Sequence, residues 1–241
     1  SIDPNANWFD PILVGPSTFK EKCTSPDTIQ AVINHLNEID QDEFVKFMIN
    51  YYKSGLERYG ESWRYADLLT TLQAITSTIP IDNYLEIGVR RGRSMTLVAK
   101  NNPHVDLVGI DLWIQDYVGI DNPGPEFVQK QLENVGHRGH VHFISGDSRK
   151  ELKKLKRKKN KPYFDLINVD GGHTRSIARK DLQNSIDLLK IGGIIVFDDI
   201  TNPYHNRLEK IWDKVIGNSD RFSSYSFSEV GYGVSFAIKK F

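Results

Sequence analysis

From residue 83 onward the chain alternates. Apolar runs at 83–88, 105–111, 140–145, 163–169 and 193–198 read as strands. The segments between them, 93–101, 125–135, 148–158 and 174–190, carry helical periodicity. Strands separated by helices of that length cannot pair as hairpins. Each connection crosses over, so the strands run parallel and helices cover both faces of the sheet. The expected fold class is α/β: a Rossmann-like, doubly wound, mostly parallel sheet. The tail breaks the pattern. FSSYSFSEVGYGVSFAIKKF reads as two strands around Glu229 to Gly233, an antiparallel hairpin at the C-terminal sheet edge.

Upstream of the sheet the spacing is helical. Ile29, Val32, Ile33 and Leu36 share a face, then Phe44, Phe47, Met48 and Tyr51, which makes 27–59 helical. Leu68, Leu69, Leu72 and Ile75 mark another helix over 63–78, stopped by Pro80. Residues 1–26, with Pro4, Pro11, Pro16 and Pro26, read as an extended arm. The expected organisation is an N-terminal arm and α-helical extension over 1–80 and a sheet domain over 81–241.

Composition excludes several classes. The formal net charge is +0, so no global field draws the chain to nucleic acid or membrane. The apolar runs stay below the roughly 18 residues a membrane span needs. Cys23 is the single cysteine, which rules out an internal disulfide and suits a reducing cytoplasm. The basic run Lys153 to Lys161 falls at a helix end and lacks the aromatic residues that stack on bases, so it reads as a solvated face. The expected partner is a small molecule. A membrane is not expected, nucleic acid is disfavoured, and a homo-oligomer stays open.

Candidate chemistry lies at the strand ends. YLEIGVRRGRS, Tyr84 to Ser94, is a strand that ends in a glycine turn and enters a helix; the next strand closes on Asp111. In such units glycine admits a ligand close to the backbone, and the acid about 20 residues on holds a ribose diol. The turn places Arg90 where the nicotinamide-binding pattern needs its second glycine, which argues against a pyrophosphate-containing dinucleotide. The third strand is followed by Gly146-Asp147-Ser148. The fourth ends in Asp170 of VDGGH and the fifth in Asp198 and Asp199 of IIVFDD. In a parallel sheet these ends meet on one rim. Three carboxylates there repel unless a cation compensates, and oxygen ligands select a hard ion such as magnesium. The long connection 112–125 is expected to border the substrate site.

Taken together, ExGxxxGxS, the acid-ended second strand, GDS, VDGGH and GGIIVFDD resemble the class I S-adenosylmethionine-dependent methyltransferases over about residues 80–200. Within them the chain is most similar to the metal-dependent small-molecule O-methyltransferases, including those that methylate antibiotic sugars in natural-product biosynthesis. The resemblance implies S-adenosyl-L-methionine and a divalent cation such as Mg2+ as cofactors. It implies Glu86 and Gly88 against the methionine end, with Ser94 in the same turn, Asp111 on the ribose, and Asp147 with Ser148 at the adenine. Asp170, Asp198 and Asp199 would hold the metal, and Asp170 and His173 would be the catalytic residues. The antibiotic-sugar enzymes usually have D-G-D where this chain has Asp170-Gly171-Gly172-His173. The base is therefore expected to be His173, at the position where the catechol type has lysine; His205 is the second choice. A nucleic-acid methyltransferase and a non-catalytic cofactor-binding module are the alternative readings.

Overall fold

The computed structural model describes residues 11–115 and 121–241. Its centre is a seven-stranded sheet. The strands are β1 (Asn83–Ile87), β2 (Asp106–Asp111), β3 (Val141–Ser145), β4 (Phe164–Val169), β5 (Leu189–Asp198), β6 (Phe222–Phe227) and β7 (Val234–Lys239). Their order is β3-β2-β1-β4-β5-β7-β6. The first five are parallel; β7 pairs antiparallel with β5 and with β6. The order reverses between β1 and β4, which in open α/β sheets opens a crevice at the carboxyl ends.

Strand alternation sorts β1 between two cores. Tyr84 packs into the core that holds the N-terminal helices. Leu85 and Ile87 face the opposite core. The first core is covered by α1 (Pro16–Cys23), α2 (Pro26–Glu38), α3 (Glu43–Tyr59), α4 (Leu68–Thr76), α5 (Arg93–Asn101) and α6 (Pro125–Asn134). The second is covered by α7 (Ser148–Arg157), α8 (Arg175–Ile186) and α9 (Leu208–Trp212), which continues as a π-helical turn over Asp213–Gly217. The N-terminal helices thus share a core with the sheet. Among the described residues, no helix is long and apolar enough to cross a membrane.

The structure revises several segment boundaries. Part of the expected extended arm, Pro16–Cys23, is helical: Pro16 sits at the first helical position, where its missing N–H is no loss, and Phe19 and Cys23 are buried one turn apart. Residues 1–10 of that arm lie outside the described residues. The helical stretch 27–59 is two helices, because Asp42 caps a new one by accepting from Val45 N at 2.8 Å. The helix expected over 63–78 starts only at Leu68, after its cap Asp67. The helix expected over 174–190 ends at Ile186, and β5 begins at Leu189 rather than 193. A register shift between Phe164 and Leu166 lets it pair with β4 across Gly192 and Gly193. Nothing in the sequence reading anticipated α9.

Candidate functional site

The turn after β1 holds the rim together. Gly88 has φ +89 and donates its N–H to Ile110 O at 2.9 Å, tying the turn to β2. A Cβ on Gly88 would stand 2.0 Å from Asp170 O, so β1 and β4 approach there as only glycine allows. Arg90 takes φ +50, and Gly92 at φ +72 leads into α5. Asp111 supports this turn directly. Its Oδ2 accepts from Val89 N at 2.7 Å and Arg90 N at 2.8 Å; its Oδ1 accepts from Trp113 N at 2.7 Å. The acid expected to hold a ribose therefore already orders the loop around it, and it also lines the cleft.

Glu86 is fully buried. Tyr84 donates its hydroxyl to Oε2, and Ser94 donates to Oε1 at 2.9 Å. Burial pushes this carboxyl up to about 8, against the two hydroxyl donors, and Asp170 adds to the rise. Glu86 thus sits beneath the turn, whereas Gly88 and Ser94 reach the cavities above it.

Two cavities open over the carboxyl ends. The smaller, about 160 Å³, lies over β1, β2, β3 and β4 and is lined by Gly88, Asp111, Asp147, Ser148 and Gly171 among others. Of the long connection 112–125, Leu112, Ile114 and Asn122 line this cleft; residues 116–120 lie outside the described residues. Asp147 caps α7 by accepting from Arg149 N at 3.0 Å. The Arg149 side chain also binds Asp147, which holds that carboxyl below its usual range. Ser148 donates its hydroxyl to Asp181 Oδ1 at 2.7 Å.

The larger cavity, about 500 Å³, holds the other half of the rim: Asp170, His173, Asp198 and Asp199. It shares Gly88, Arg90 and Asp170 with the smaller one. Asp199 has φ +61. Burial raises both Asp198 and Asp199, and repulsion from Asp170 raises them further. His173 Nε2 stands 3.6 Å from Asp170 Oδ1 and 3.5 Å from Asp199 Oδ2, without a hydrogen-bond partner among the described residues. Burial lowers its pKa, but Asp170 and Asp199 outweigh that and leave it raised. The His205 ring lies 4.7 Å from that of His173. Thr174, not one of the acids, caps α8.

Among the described residues, no group of three or more His, Cys, Asp or Glu side chains converges as a metal site. By donor type and charge the acids still fit a hard cation: three carboxylates face one cavity, and burial, with repulsion from Asp170, raises the pKa of Asp198 and Asp199, a cost that a cation would relieve.

The rest of the larger cavity comes from residues that sequence reasoning missed. Phe44, Phe47, Met48 and Tyr51 of α3 line one wall, Tyr65 and Asp67 another, and Gly231 to Gly233 of the hairpin turn a third. The α3 residues had a signal, one shared helical face, but in the sequence that face marks only a helix; Phe44 is 42% exposed and Phe47 60%. Asp67 accepts hydroxyl hydrogen bonds from Tyr52 and, at 3.0 Å, from Tyr65. Burial raises its pKa.

Comparison with known proteins agrees with this architecture. Residues 85–200 match a family model described as a methyltransferase domain. No curated protein sequence matches the chain. Among solved structures, the chain is similar to the O-methyltransferase TomG from Streptomyces achromogenes, involved in tomaymycin synthesis and solved with S-adenosylmethionine. Identity is 19%, coverage 84% of this chain and 92% of that one, and the TM-score 0.57. An O-methyltransferase from Bacillus cereus in complex with S-adenosylhomocysteine is 16% identical, with coverage of 90% and 92% and a TM-score of 0.55. CalS11, a TDP-rhamnose 3'-O-methyltransferase of calicheamicin biosynthesis, is 20% identical, with coverage of 89% and 95% and a TM-score of 0.53. The strand order and the matched segment agree: residues 85–200 match a methyltransferase domain, and the chain shares the fold of these O-methyltransferase structures.

Proposed function

We propose that the chain transfers the methyl group of S-adenosylmethionine to a hydroxyl of a small-molecule acceptor, with a divalent cation at the acid rim. The observation that carries this reading is the junction of the two cavities. The smaller presents the acids and glycines suited to an adenosyl group; the larger presents aromatic walls and carboxylates suited to a polar acceptor. They meet at Gly88, Arg90 and Asp170, so a methyl donor in one can face an oxygen in the other.

Each residue has a physical task. Asp111 orders the turn and offers its remaining lone pairs to the ribose hydroxyls. Asp147 and Ser148 meet the adenine edge. Glu86, buried with Tyr84 and Ser94, underlies the methionine end. Asp170, Asp198 and Asp199 would hold the cation, which supplies a lowered pKa for an acceptor hydroxyl. His173, whose Nε2 has no hydrogen-bond partner among the described residues, accepts the proton. Phe44, Phe47 and Tyr51 hold the acceptor's apolar part. Alignment of donor and acceptor across the junction supplies much of the rate.

The test combines binding and turnover. Calorimetry should detect S-adenosylhomocysteine binding to the purified chain. A panel of catechols and nucleotide sugars, assayed for methyl transfer, should yield an acceptor whose turnover stops in chelator and returns with magnesium. Full turnover in chelator would defeat the cation assignment and leave methyl transfer standing. Failure to bind S-adenosylhomocysteine would defeat the whole reading.

A further inference from the structure

Asp181 of α8 has no exposed surface. It stands directly behind the wall of the smaller cleft. Its Oδ1 accepts the Ser148 hydroxyl at 2.7 Å. Its Oδ2 has no hydrogen-bond partner among the described residues, and a Cβ on Gly171 would stand 3.3 Å from it. Ser148 and Gly171 both line the cleft.

We propose that Asp181 is a positioning residue that fixes Ser148 as a hydrogen-bond acceptor toward the cleft and so selects a purine with a 6-amino group over one with a 6-oxo group. The inference rests on the reading that an adenosyl group occupies the smaller cleft.

The argument is one of proton inventory. A serine hydroxyl has one proton and two lone pairs, and an ionised carboxylate only accepts. With the Ser148 proton directed inward to Asp181, the oxygen offers the cleft lone pairs alone. A 6-amino group donates and pairs with them. A 6-oxo group brings its own lone pairs and leaves both oxygens unsatisfied, which costs more than a missing bond. Asp147 also offers acceptors at this end, but the Arg149 side chain holds it through hydrogen bonds in which Asp181 takes no part; Asp181 reaches that pair only through its charge. A competing view makes the Ser148–Asp181 bond a mere tether between α7 and α8. Loss of a tether would change the affinity for both purines by the same factor.

The experiment titrates S-adenosylhomocysteine and its 6-oxo (inosine) analogue into the full chain by calorimetry. It is run at pH 8.5, because burial pushes Asp181 up to about 7 and the carboxylate is ionised above that. The wild type should prefer the 6-amino ligand by about tenfold or more. Asp181→Leu deletes the fixed acceptor with an apolar residue of similar shape and frees the Ser148 proton; the preference should fall severalfold, with much of the change a gain for the 6-oxo ligand. Ser148→Ala lies on the cleft wall and should lower the preference even if Asp181→Leu fails to fold. A preference unchanged in the folded variants, or equal losses for both ligands, overturns the inference and leaves the adenosyl reading intact. A folded wild type that does not bind S-adenosylhomocysteine overturns both.

Discussion

Gly88→Ala should be among the most damaging single-methyl additions to this chain. Two costs combine there. Gly88 holds φ +89, and left-handed backbone costs an L-residue about 1–2 kcal/mol. The new Cβ would also stand 2.0 Å from Asp170 O, 2.7 Å from Asp170 C and 3.1 Å from Gly171 Cα. All three are backbone atoms at the end of β4, which cannot rotate away as a side chain can. Forced overpacking of this kind typically costs about 1–3 kcal/mol. The sum is about 2–5 kcal/mol of stability. Gly136→Ala is the matched control: Gly136 has φ +82, but a Cβ there meets nothing within 4 Å. It should show the backbone part alone, about 1–2 kcal/mol. Urea denaturation of the three proteins gives both numbers, and calorimetry with S-adenosylhomocysteine reads the site. Gly88→Ala should also weaken that ligand, since relief of the collision must part β1 from β4 where the two cavities join. If Gly88→Ala proves no more destabilising than Gly136→Ala, the close approach of the two strand ends is wrong.

Other outcomes follow from single side chains. Asp111→Ala should weaken S-adenosylhomocysteine by about 1.5–3 kcal/mol, the range for hydrogen bonds to a charged group; undiminished affinity would remove Asp111 from the ribose. Glu86 gives a pH signature. Its folded value of about 8 lies above the ordinary 4.5, so its stabilisation is complete below pH 4.5 and is lost as pH rises toward 8. Glu86→Gln cannot ionise, so its stability relative to wild type should rise by about 3 kcal/mol between pH 6 and 9, at most ~1.4 kcal/mol per pH unit; parallel urea curves at all pH values would show that Glu86 does not titrate there. His173→Ala should lower turnover with an accepted substrate by about 10²–10⁴ and leave S-adenosylhomocysteine affinity nearly unchanged. A loss under tenfold moves the proton to His205 or solvent.

The sheet was legible because buried parallel strands are short apolar runs bounded by turn residues. Four of the five parallel strands begin within a residue of where that pattern places them, and α5 spans 93–101 as its periodicity indicates. The fifth strand was shortened because Leu188 and Leu189 continue the apolar spacing of α8, and the glycines at 192 and 193 look like a start, not an interruption. The N-terminal wall of the larger cavity was illegible for a different reason. Periodicity shows that Phe44, Phe47, Met48 and Tyr51 share a face, but not whether that face meets protein or a cavity. Asp67 looks like an ordinary helix cap, and it is one. Only packing of α3 and α4 against the sheet brings it beside Asp198, whose pKa it raises. The acids of the rim were found by contrast because a parallel sheet sends every carboxyl end to the same side, a rule that needs no side-chain packing.

The rim concentrates unfavourable conformations that the rest of the fold must offset. The described non-glycine residues with positive φ are Arg90, Trp113 and Asp199, and each follows a strand of the parallel core: β1, β2 and β5. Such residues cost of order 1–3 kcal/mol each and persist where the surroundings over-determine them. Asp111 over-determines two of the three, since its carboxylate takes the backbone N–H of Arg90 through Oδ2 and that of Trp113 through Oδ1. One side chain therefore links the turn after β1 to the loop after β2 across the cleft between them. Asp111→Ala removes that link even before any ligand is present. Its loss of ligand affinity and its loss of order in the empty cleft are coupled, so the two need not add. Amide exchange at Val89, Arg90 and Trp113 separates them. If Asp111 orders the rim, these amides should lose protection in the ligand-free variant. If it serves only the ribose, their exchange in the ligand-free protein should not change.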